Sequence, residues 1–294
     1  MQPALLLAFE DEQQLAQSLA QALDIPLALI AVHRFPDGES RLRLPPSLPP
    51  EVLLLRGLHQ PHHKLVELLI TAPAARALGV QRLVLVSPYL AYMRQDMAFN
   101  PGEAVSQRHV VALLGRHFEG LITVDPHLHR ISTLDEVMPP GCRGMALTAA
   151  ALLGAWVAQR VPEALLLGPD EEALQWVSQA GRLHSLDHAV CRKQRFGDRD
   201  VRVLLPELPL GGRAVVLMDD VASTGRTLIE ACLAALAAGA VSVDVAVTHG
   251  LFVGDALAQL HRAGVRHIWA SDAVPHANAV VPIKGLLADA VRAF

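Results

Sequence analysis

The 294-residue sequence has few cysteines and no excess of basic residues, and each of these features argues against a class of protein. Its three cysteines, Cys142, Cys191 and Cys232, show no C-x-x-C spacing, which is typical of a protein kept in a reducing cytosol. Its 25 basic and 29 acidic side chains leave a formal net charge of −4. That balance predicts no basic surface for binding nucleic acid or anionic lipid.

Long apolar runs are also missing. The N-terminus has no basic segment before its short apolar stretch, and acidic residues follow at once, so no signal peptide is predicted. The longest apolar tract, residues 228–247, contains Glu230, Gly239 and Asp244 and predicts a helix, a turn and a strand rather than a membrane span. No G-x-x-x-x-G-K-[ST] motif occurs, which excludes ordinary P-loop kinase chemistry. With 52% apolar and 18% charged residues, we expect a soluble, cytoplasmic, globular protein.

Short apolar runs alternate with amphipathic stretches along most of the chain. This alternation predicts an α/β fold with mostly parallel sheets, in which ligands bind beyond the carboxyl ends of the strands. The predicted strands are residues 52–55, 83–87, 121–125, 164–168, 215–218 and 243–248. The predicted helices are residues 64–78, 107–117, 172–181 and 227–238.

Polar motifs follow four of these strands, two in each half of the chain. The arrangement indicates two similar α/β units in tandem, with a break in the pattern at residues 139–148. We therefore predict an N-terminal domain over residues 1–143 and a C-terminal domain over residues 144–294. The last ~20 residues could pack back on the N-terminal domain, since chain termini often lie near each other.

A β-hairpin is predicted around Pro36-Asp37-Gly38, because apolar and polar residues alternate on both sides of this turn sequence. Its tip would expose Phe35, Asp37 and Glu39. An exposed aromatic ring flanked by acids can stack on a heteroaromatic base and accept hydrogen bonds from its amino group. Turn composition alone explains the same residues as an ordinary hairpin.

The segment "DDVASTGRT" places two adjacent carboxylates, Asp219 and Asp220, at the end of a predicted buried strand. The turn that follows and the start of the next helix would present backbone N–H groups and hydroxyls to a phosphate. The carboxylates suit vicinal hydroxyls or a Mg²⁺-bound sugar. A phosphate site beside a diol site predicts a ribose 5-phosphate, whereas a capped βα turn is the simpler interpretation.

"VVLMDDVASTGRT" resembles the phosphoribosyl-diphosphate loop of type I phosphoribosyltransferases and of ribose-phosphate diphosphokinases. The rest of the chain resembles the second family over nearly its full length, and particularly its shorter, archaeal-type branch. The other motifs that carry the resemblance are "FPDGE", "PYLAYMRQDMAFNPGEAVSQR", "VDPHLHR", "GPDEEAL" and "CRKQR".

The resemblance implies two tandem type I phosphoribosyltransferase-like domains. It also implies transfer of the diphosphoryl group of ATP to the 1-hydroxyl of ribose 5-phosphate, with Mg²⁺ as the cofactor. By the same resemblance, ATP would be bound by Phe35, Asp37, Glu39, Arg94, Gln95 and Asp96, and ribose 5-phosphate by Asp219, Asp220, Ser223, Thr224, Gly225, Arg226 and Thr227. Metal would be bound by His127 and Asp170, and the catalytic cations would be Lys193 and Arg195.

The family's hairpin reaches a neighbouring subunit, so the resemblance also implies a homo-oligomer with active sites at a dimer interface. Within the H-x-H pair, the resemblance implies that His127 binds metal, but it gives little reason to assign metal binding to His129. The histidines of "HQPHHK" have no partnering cysteine or acid cluster, which favours a polar loop over a zinc site.

Glu172 departs from the family pattern, because it stands where a glycine is common in a phosphate-facing loop. A negative side chain there could narrow or repel a diphosphate site. Two alternatives therefore stay open. The chain could be a non-catalytic regulatory homologue, or a nucleobase phosphoribosyltransferase, which would consume phosphoribosyl diphosphate rather than make it.

Overall fold

The chain divides into two units in a computed structural model. One unit consists of Met1–Leu147 with Lys284–Phe294, and the other of Thr148–Ile283. The structure describes residues 3–98, 100–195 and 201–294, and for residues 193–195 and 201–203 it describes the backbone alone. Among these residues, no helix is both long enough and apolar enough to cross a membrane.

The first unit contains a seven-stranded sheet in which all neighbouring strands are parallel except the hairpin pair at one edge. Its central strands are almost continuously apolar because helices cover both of their faces. The strands are β1 (Leu5–Phe9), β2 (Leu27–Arg34), β3 (Ser40–Arg43), β4 (Glu51–Leu55), β5 (Arg82–Ser87), β6 (Gly120–Val124) and β7 (Arg143–Leu147). Their order across the sheet is β3-β2-β1-β4-β5-β6-β7.

Helices connect the parallel strands of this sheet. They are α1 (Gln13–Leu23), α2 (Pro61–Ala77) and α3 (Ser106–Gly115). Helix α1 ends where Asp24 adopts a left-handed conformation, with φ of 56°. Helix α2 begins with Pro61, whose fixed φ suits the first helical position and whose missing N–H would have no partner there.

The second unit contains a six-stranded, all-parallel sheet and a separate two-stranded antiparallel pair. Its helices are α4 (Ala150–Arg160), α5 (Leu174–His184), α6 (Arg226–Ala237) and α7 (Ala256–Arg262). Its strands are β8 (Leu165–Gly168), β9 (His188–Val190), β10 (Arg192–Arg195), β11 (Val201–Leu204), β12 (Ala214–Ala222), β13 (Ser242–Gly250), β14 (Val265–Ser271) and β15 (Ala279–Val281). The sheet order is β15-β14-β13-β12-β8-β9, and β10 pairs with β11.

The strand order reverses once in each sheet. In the first unit the chain moves outward from β1 to β2 and then crosses back to β4 on the other side of β1. In the second unit it moves from β8 to β9 and crosses back to β12 on the other side of β8. The carboxyl ends of β1 and β4, and of β8 and β12, are therefore the positions at which a parallel sheet binds ligands.

Helix α8 (Lys284–Ala293) and the last residue, Phe294, pack on the first unit. The Phe294 ring occupies space above Gly120, where a Cβ atom would lie 2.3 Å from the ring. Arg143 lies over the same ring, 4.8 Å from its centroid, and Arg143 Nη1 donates a hydrogen bond of 3.1 Å to the Phe294 carbonyl. The last helix of the chain thus completes the hydrophobic packing of its first sheet.

The predicted fold class is confirmed, because both units are mostly parallel sheets flanked by helices. The predicted hairpin is confirmed as the antiparallel pair β2–β3. Several predicted elements were wrong at their ends, and two of these differences have a clear cause. The strand predicted over residues 215–218 continues to Ala222, since β13 supplies hydrogen-bond partners along its whole length. The helix predicted from Glu172 begins at Leu174, because a 3₁₀ turn over Glu171–Ala173 precedes it.

Candidate functional site

Three carboxylates lie at the switch point of the second unit. Strand β12 pairs with β8 only as far as Leu217, whereas its pairing with β13 continues to the end of β12. Asp219 and Asp220 follow Leu217 and so lie inside β12, beyond the point where β8 pairs with it. Asp170 comes two residues after the end of β8 and reaches the same edge from the neighbouring strand.

The two neighbouring carboxylates affect the protonation of Asp219. Burial, followed by the charges of Asp220 and Asp170, raises the pKa of Asp219 well above its ordinary value of 3.8. Asp220 is only 3% exposed, and its backbone N–H donates a hydrogen bond of 3.0 Å to Asp219 Oδ1. The negative charges of Asp220 and Asp170 therefore add to burial in disfavouring the ionised form of Asp219.

A divalent cation would relieve this repulsion. Carboxylate oxygens are the ligands that Mg²⁺ prefers, and a bound cation lowers the free energy of the ionised form of each acid near it. The donor set of this edge, Asp170 with Asp219 and Asp220, therefore fits a hard divalent cation.

The turn after β8 is tightly packed. A Cβ atom on Gly168 would lie 2.8 Å from side-chain atoms of Ala173 and Val190, so only glycine fits there. Asp170 Oδ1 accepts a hydrogen bond of 3.1 Å from the Glu172 backbone N–H and thereby caps the 3₁₀ turn. This cap fixes the position of the Asp170 carboxylate.

The two glutamates of this turn are both exposed. Glu171 Oε1 lies 3.7 Å from Arg192 Nε, at the start of β10. Glu171, the neighbour of the residue that departs from the family pattern, therefore has a cation close to it.

The predicted phosphate cradle, residues 223–227, forms the turn between β12 and α6. Gly225 is the N-cap of α6 with φ of 73°, and no side chain in the described part of the chain caps this helix. The first N–H groups of α6 therefore face away from the helix toward any anion bound there. Arg226 is exposed and its Nε lies 3.2 Å from Glu230 Oε1, one turn along the helix. The other members of the cradle are partly buried or exposed: Ser223, Thr224 and Thr227.

The two predicted catalytic cations lie on strand β10, which pairs with β11 in an antiparallel register. Lys193 is opposite Val203, and Arg195 is opposite Val201. The side chains of Lys193 and Arg195 lie outside the described part of the structure.

Hydrogen bonds among residues 35–39 hold the backbone at the tip of the β2–β3 hairpin. The Phe35 N–H donates to the Glu39 carbonyl over 2.8 Å, and the Gly38 N–H donates to the Phe35 carbonyl over 3.0 Å. The Asp37 carboxylate accepts a hydrogen bond of 3.1 Å from the Glu39 N–H. The Phe35 ring is 39% exposed and packs edge-on against His33, with ring centroids 4.7 Å apart. These bonds hold the backbone of the tip, and the exposed ring lies beside two exposed carboxylates.

The segment after β5 contains the other predicted ATP residues. Arg94 is exposed. Gln95 is partly buried, and its side-chain amide donates a hydrogen bond of 3.1 Å to the Met97 carbonyl. The Asp96 carboxylate is nearly buried and its Oδ2 lies 3.3 Å from Arg130 Nε. This ion pair joins the segment to the loop that follows β6.

The loop after β6 carries the predicted metal ligand His127. Asp125 and His127 both have left-handed backbone conformations, with φ of 38° and 54°. His129 Nε2 lies 3.1 Å from His127 Nδ1, and the two ring centroids are 3.9 Å apart. Residues two apart in an extended strand would be separated by roughly 6–7 Å, so the loop conformation brings these rings together.

Residues that the sequence did not indicate lie at the switch point of the first unit. Six charged side chains form an ion cluster there, three acidic and three basic. We call them the first-unit ion cluster: Asp11, Glu12, Arg34, Arg56, Lys64 and Glu67. Two signals would have found it, since acids directly follow the apolar residues of β1 and Arg56 directly follows β4.

Arg56 is the centre of this cluster and is 1% exposed. Its guanidinium pairs with Asp11 and Glu67, lies 3.6 Å from Glu12 Oε1, and stacks over Phe9 with its Cζ 4.1 Å from the ring centroid. Such a buried cation is tolerated because carboxylates surround it.

Lys64 is the second buried cation, at 2% exposure. Its Nζ lies 3.4 Å from Glu12 Oε1, 3.0 Å from the Gly57 carbonyl oxygen and 3.0 Å from His59 Nε2. Burial lowers the pKa of Lys64 and raises that of Glu12. Burial and the Lys64 charge lower the pKa of His59 to about 4, so His59 is neutral at physiological pH. The first-unit switch point is thus filled by the chain's own charges.

The structure brings some of the predicted residues together and leaves others apart. Asp170 joins Asp219 and Asp220, and Asp96 joins the loop of His127 through Arg130. No hydrogen bond or ion pair in the described ranges connects the hairpin tip with residues 94–96.

Comparison with known proteins identifies the family. Residues 4–117 match the family model described as the N-terminal domain of ribose phosphate pyrophosphokinase. The chain is 35% identical to the ribose-phosphate pyrophosphokinase of Methanopyrus kandleri, with 98% of each chain covered. It is 32% identical to that of Halobacterium salinarum, with 98% of this chain and all of the relative covered. The chain belongs to the ribose-phosphate pyrophosphokinase family.

The resemblance that the sequence motifs indicate is therefore confirmed, including its archaeal relatives. The crystal structure of phosphoribosylpyrophosphate synthetase from Mycobacterium smegmatis has the same fold, with a TM-score of 0.83 over 98% of both chains. At 23% sequence identity this second likeness concerns the fold alone.

Proposed function

We propose that this chain catalyses the reaction of its family. The diphosphoryl group of ATP is transferred to the 1-hydroxyl of ribose 5-phosphate, which gives phosphoribosyl diphosphate and AMP. The observation that carries the proposal is the second-unit switch point, where three carboxylates lie beside an uncapped helix N-terminus at Gly225. One end of this arrangement suits hydroxyls and a metal, and the other suits a phosphate.

Ribose 5-phosphate would bind along β12 and the cradle that follows it. Asp219 and Asp220 would accept hydrogen bonds from the ribose hydroxyls, and the backbone N–H groups at the start of α6 would bind the 5-phosphate. The hydroxyls of the cradle would add donors to the same phosphate: Ser223, Thr224 and Thr227.

Mg²⁺ is the cofactor that we propose, with His127 as a ligand of one ion and Asp170 as a ligand of a second ion. The carboxylate oxygens of the second unit are the kind of ligand that this ion prefers. When bound, Mg²⁺ would offset the negative charge of the ATP phosphates, which would otherwise repel the attacking hydroxyl of the ribose.

ATP would be bound by the first unit. The exposed Phe35 ring would stack on adenine, with Asp37 and Glu39 accepting hydrogen bonds from the amino group, and residues 94–96 would contact the nucleotide. Because no hydrogen bond or ion pair among the described residues joins the hairpin tip to residues 94–96, we propose that the tip serves a neighbouring subunit in a homo-oligomer whose active sites lie at a dimer interface. A variant held as a monomer would then lose affinity for ATP, and Phe35→Ala would raise the KM for ATP more than that for ribose 5-phosphate.

Lys193 and Arg195 would act as cations on the transferred group. Phosphoryl transfer depends on positioning and on charge neutralisation, so a pair of cations can lower the barrier without a nucleophilic side chain. We further propose that the N-terminal and C-terminal domains, residues 1–143 and 144–294, carry the ATP and the ribose 5-phosphate sites, respectively.

The test is a coupled assay for phosphoribosyl diphosphate and for AMP, with Mg-ATP and ribose 5-phosphate as substrates. Wild-type protein should form both products in equal amounts, and Lys193→Ala should reduce kcat by about 10²–10³-fold, the usual loss for a charge-stabilising donor. Lys284→Ala is the matched control, because Lys284 is an exposed lysine on α8. It should turn over like the wild type.

The two alternatives give different results in the same experiment. A non-catalytic homologue would bind ATP and ribose 5-phosphate without releasing AMP. A nucleobase phosphoribosyltransferase would consume added phosphoribosyl diphosphate when a base is supplied. Either result in the wild type would refute the proposal.

A further inference from the structure

The loop after β6 holds two imidazole rings against each other, although the family resemblance adds little for the second ring. His129 Nε2 and His127 Nδ1 are 3.1 Å apart, and the ring planes are inclined at 87°. Both residues are partly buried, so an ion from solvent can reach a pair of nitrogens that the loop already holds together.

The distance between these nitrogens matches that between two neighbouring ligands of one metal ion. A metal–imidazole bond is about 2.0–2.1 Å long, so two nitrogens at a right angle on one ion are about 3.0 Å apart, and about 3.4 Å on a tetrahedral ion. The observed 3.1 Å lies within that interval.

The loop is fixed in the conformation that creates the pair. Asp125 and His127 are non-glycine residues with positive φ, an unfavourable conformation that clusters at functional sites. On one side the Asp125 N–H donates a hydrogen bond of 2.8 Å to the Leu147 carbonyl. On the other side Arg130 is joined to Asp96. The two imidazoles are therefore positioned before any ligand arrives.

We propose that His127 and His129 together form a two-nitrogen site for a divalent transition-metal ion of the class of Zn²⁺, Co²⁺ and Ni²⁺. Imidazole nitrogen is a good ligand for these ions, whereas Mg²⁺ prefers oxygen ligands and gives up its water reluctantly. Water or phosphate oxygens would complete the coordination sphere.

This inference deepens the proposed function and rests on it in one respect. If His127 is a nucleotide-metal ligand, then His129 shifts the preference of that position from Mg²⁺ toward a softer ion. The binding step itself needs no turnover, so it can be tested without any assumption about the reaction.

The experiment is a titration of the full-length protein with Co²⁺ in the absence of nucleotide, followed by calorimetry and by the visible absorption of the bound ion. The variants are His127→Asn and His129→Asn, which keep polar side chains of similar size. His62→Asn is the matched control, because His62 is an exposed histidine of the segment 59–63, the other histidine-rich stretch. We expect one Co²⁺ site that depends on the loop in wild type and in His62→Asn, counted apart from any binding at the carboxylates of the second unit. Each loop variant should bind at least about tenfold more weakly, since even changes around a metal ligand cost 10–100-fold.

Two results would overturn the inference. If His129→Asn binds Co²⁺ as tightly as wild type while His127→Asn does not, the second ring only donates or accepts a hydrogen bond. If the wild type shows no Co²⁺ site that depends on the loop, the pair is a histidine–histidine hydrogen bond alone.

The failure of the proposed function would look different. If the protein binds Co²⁺ through both rings but makes no phosphoribosyl diphosphate, the metal site is supported and the proposed reaction is wrong. If the protein makes the product with Mg²⁺ but shows no loop-dependent Co²⁺ binding, the proposed reaction is supported and the metal site is wrong.

Discussion

Arg34 Nη2 donates a hydrogen bond of 2.8 Å to Oε1 of Glu67, which is 1% exposed. Arg34 is the last residue of β2 and directly precedes Phe35, whereas Glu67 lies in α2 and also pairs with the buried Arg56. The proposed adenine hairpin is thereby attached to the first-unit ion cluster. A cluster that fills one switch point thus also orients a loop that we assign to substrate binding.

Loss of this attachment should affect ATP binding selectively. We expect Arg34→Ala to raise the KM for ATP by about fivefold, the equivalent of the ~1 kcal/mol that a partly exposed ion pair contributes. The KM for ribose 5-phosphate and kcat should stay near wild-type values, which steady-state kinetics will measure. Arg41→Ala is the control, because Arg41 is an exposed arginine of the same hairpin. Equal changes in both KM values would show that Arg34 supports the whole unit and not the hairpin.

The interior of the ion cluster should matter for stability rather than for one substrate. Glu67→Ala would leave Arg56 buried without one of its carboxylates, and breaking a buried ion pair costs about 3–5 kcal/mol. Chemical denaturation should therefore show a large loss in the free energy of unfolding. Glu10→Ala, which removes an exposed acid next to the cluster, should change it by less than about 0.5 kcal/mol. A small effect of Glu67→Ala would mean that water enters and solvates Arg56.

The carboxylates of β12 should make stability depend on pH. Because the pKa of Asp219 is raised in the folded protein, this group binds its proton more tightly when folded. Its contribution to stability is complete below the unfolded pKa of 3.8 and is lost as pH rises through the folded pKa. Asp219→Asn should therefore be more stable than wild type at neutral pH, and the difference should disappear below about pH 4.

Unfolding curves of the two proteins across that range will measure this difference, with activity as the second readout. The same substitution should weaken ribose 5-phosphate binding, because it replaces an acceptor of the proposed diol site. Identical pH dependence in wild type and variant would mean that Asp219 has an ordinary pKa.

Gly225 should be needed for both the shape and the function of the phosphate cradle. An alanine there would adopt φ of 73° at a cost of about 1–2 kcal/mol, and its Cβ would lie 3.4 Å from Leu260. We expect Gly225→Ala to lower the melting temperature and to raise the KM for ribose 5-phosphate. Gly285→Ala in α8, where a Cβ atom would meet nothing within 4 Å, should be neutral or slightly stabilising. An unchanged KM in Gly225→Ala would argue against phosphate binding at this turn.

The cysteines should be inert in the native protein. Burial raises the pKa values of Cys142 and Cys191 to about 12 and that of Cys232 to about 11, so almost no thiolate exists at pH 8. Iodoacetamide at that pH should leave native protein unmodified and active, whereas unfolded protein should be alkylated at all three positions. Mass spectrometry distinguishes the two. Rapid loss of activity on modification of Cys191 would show that this thiol is reactive and close to the catalytic chemistry.

The sequence by itself determined the fold class and most of the central strands. Apolar runs that are buried on both faces, as in β4 and β5, are recognisable without a structure because nothing polar interrupts them. The hairpin was equally predictable, since Pro36-Asp37-Gly38 dictates a turn locally. The family motifs are also contiguous in sequence, which is why the phosphate cradle and the adenine hairpin could be proposed from residues alone.

The tertiary structure decided what depends on strand order and backbone direction. Asp219 and Asp220 lie inside β12 because β13 continues to pair with it where β8 does not, and no local pattern encodes that difference. The first-unit ion cluster depends on β1 and β4 being neighbours, although more than 40 residues separate them in sequence. His129 reaches His127 only because two residues of the loop adopt positive φ. Periodicity and composition specify which residues are buried or polar, but only the folded chain specifies which of them meet.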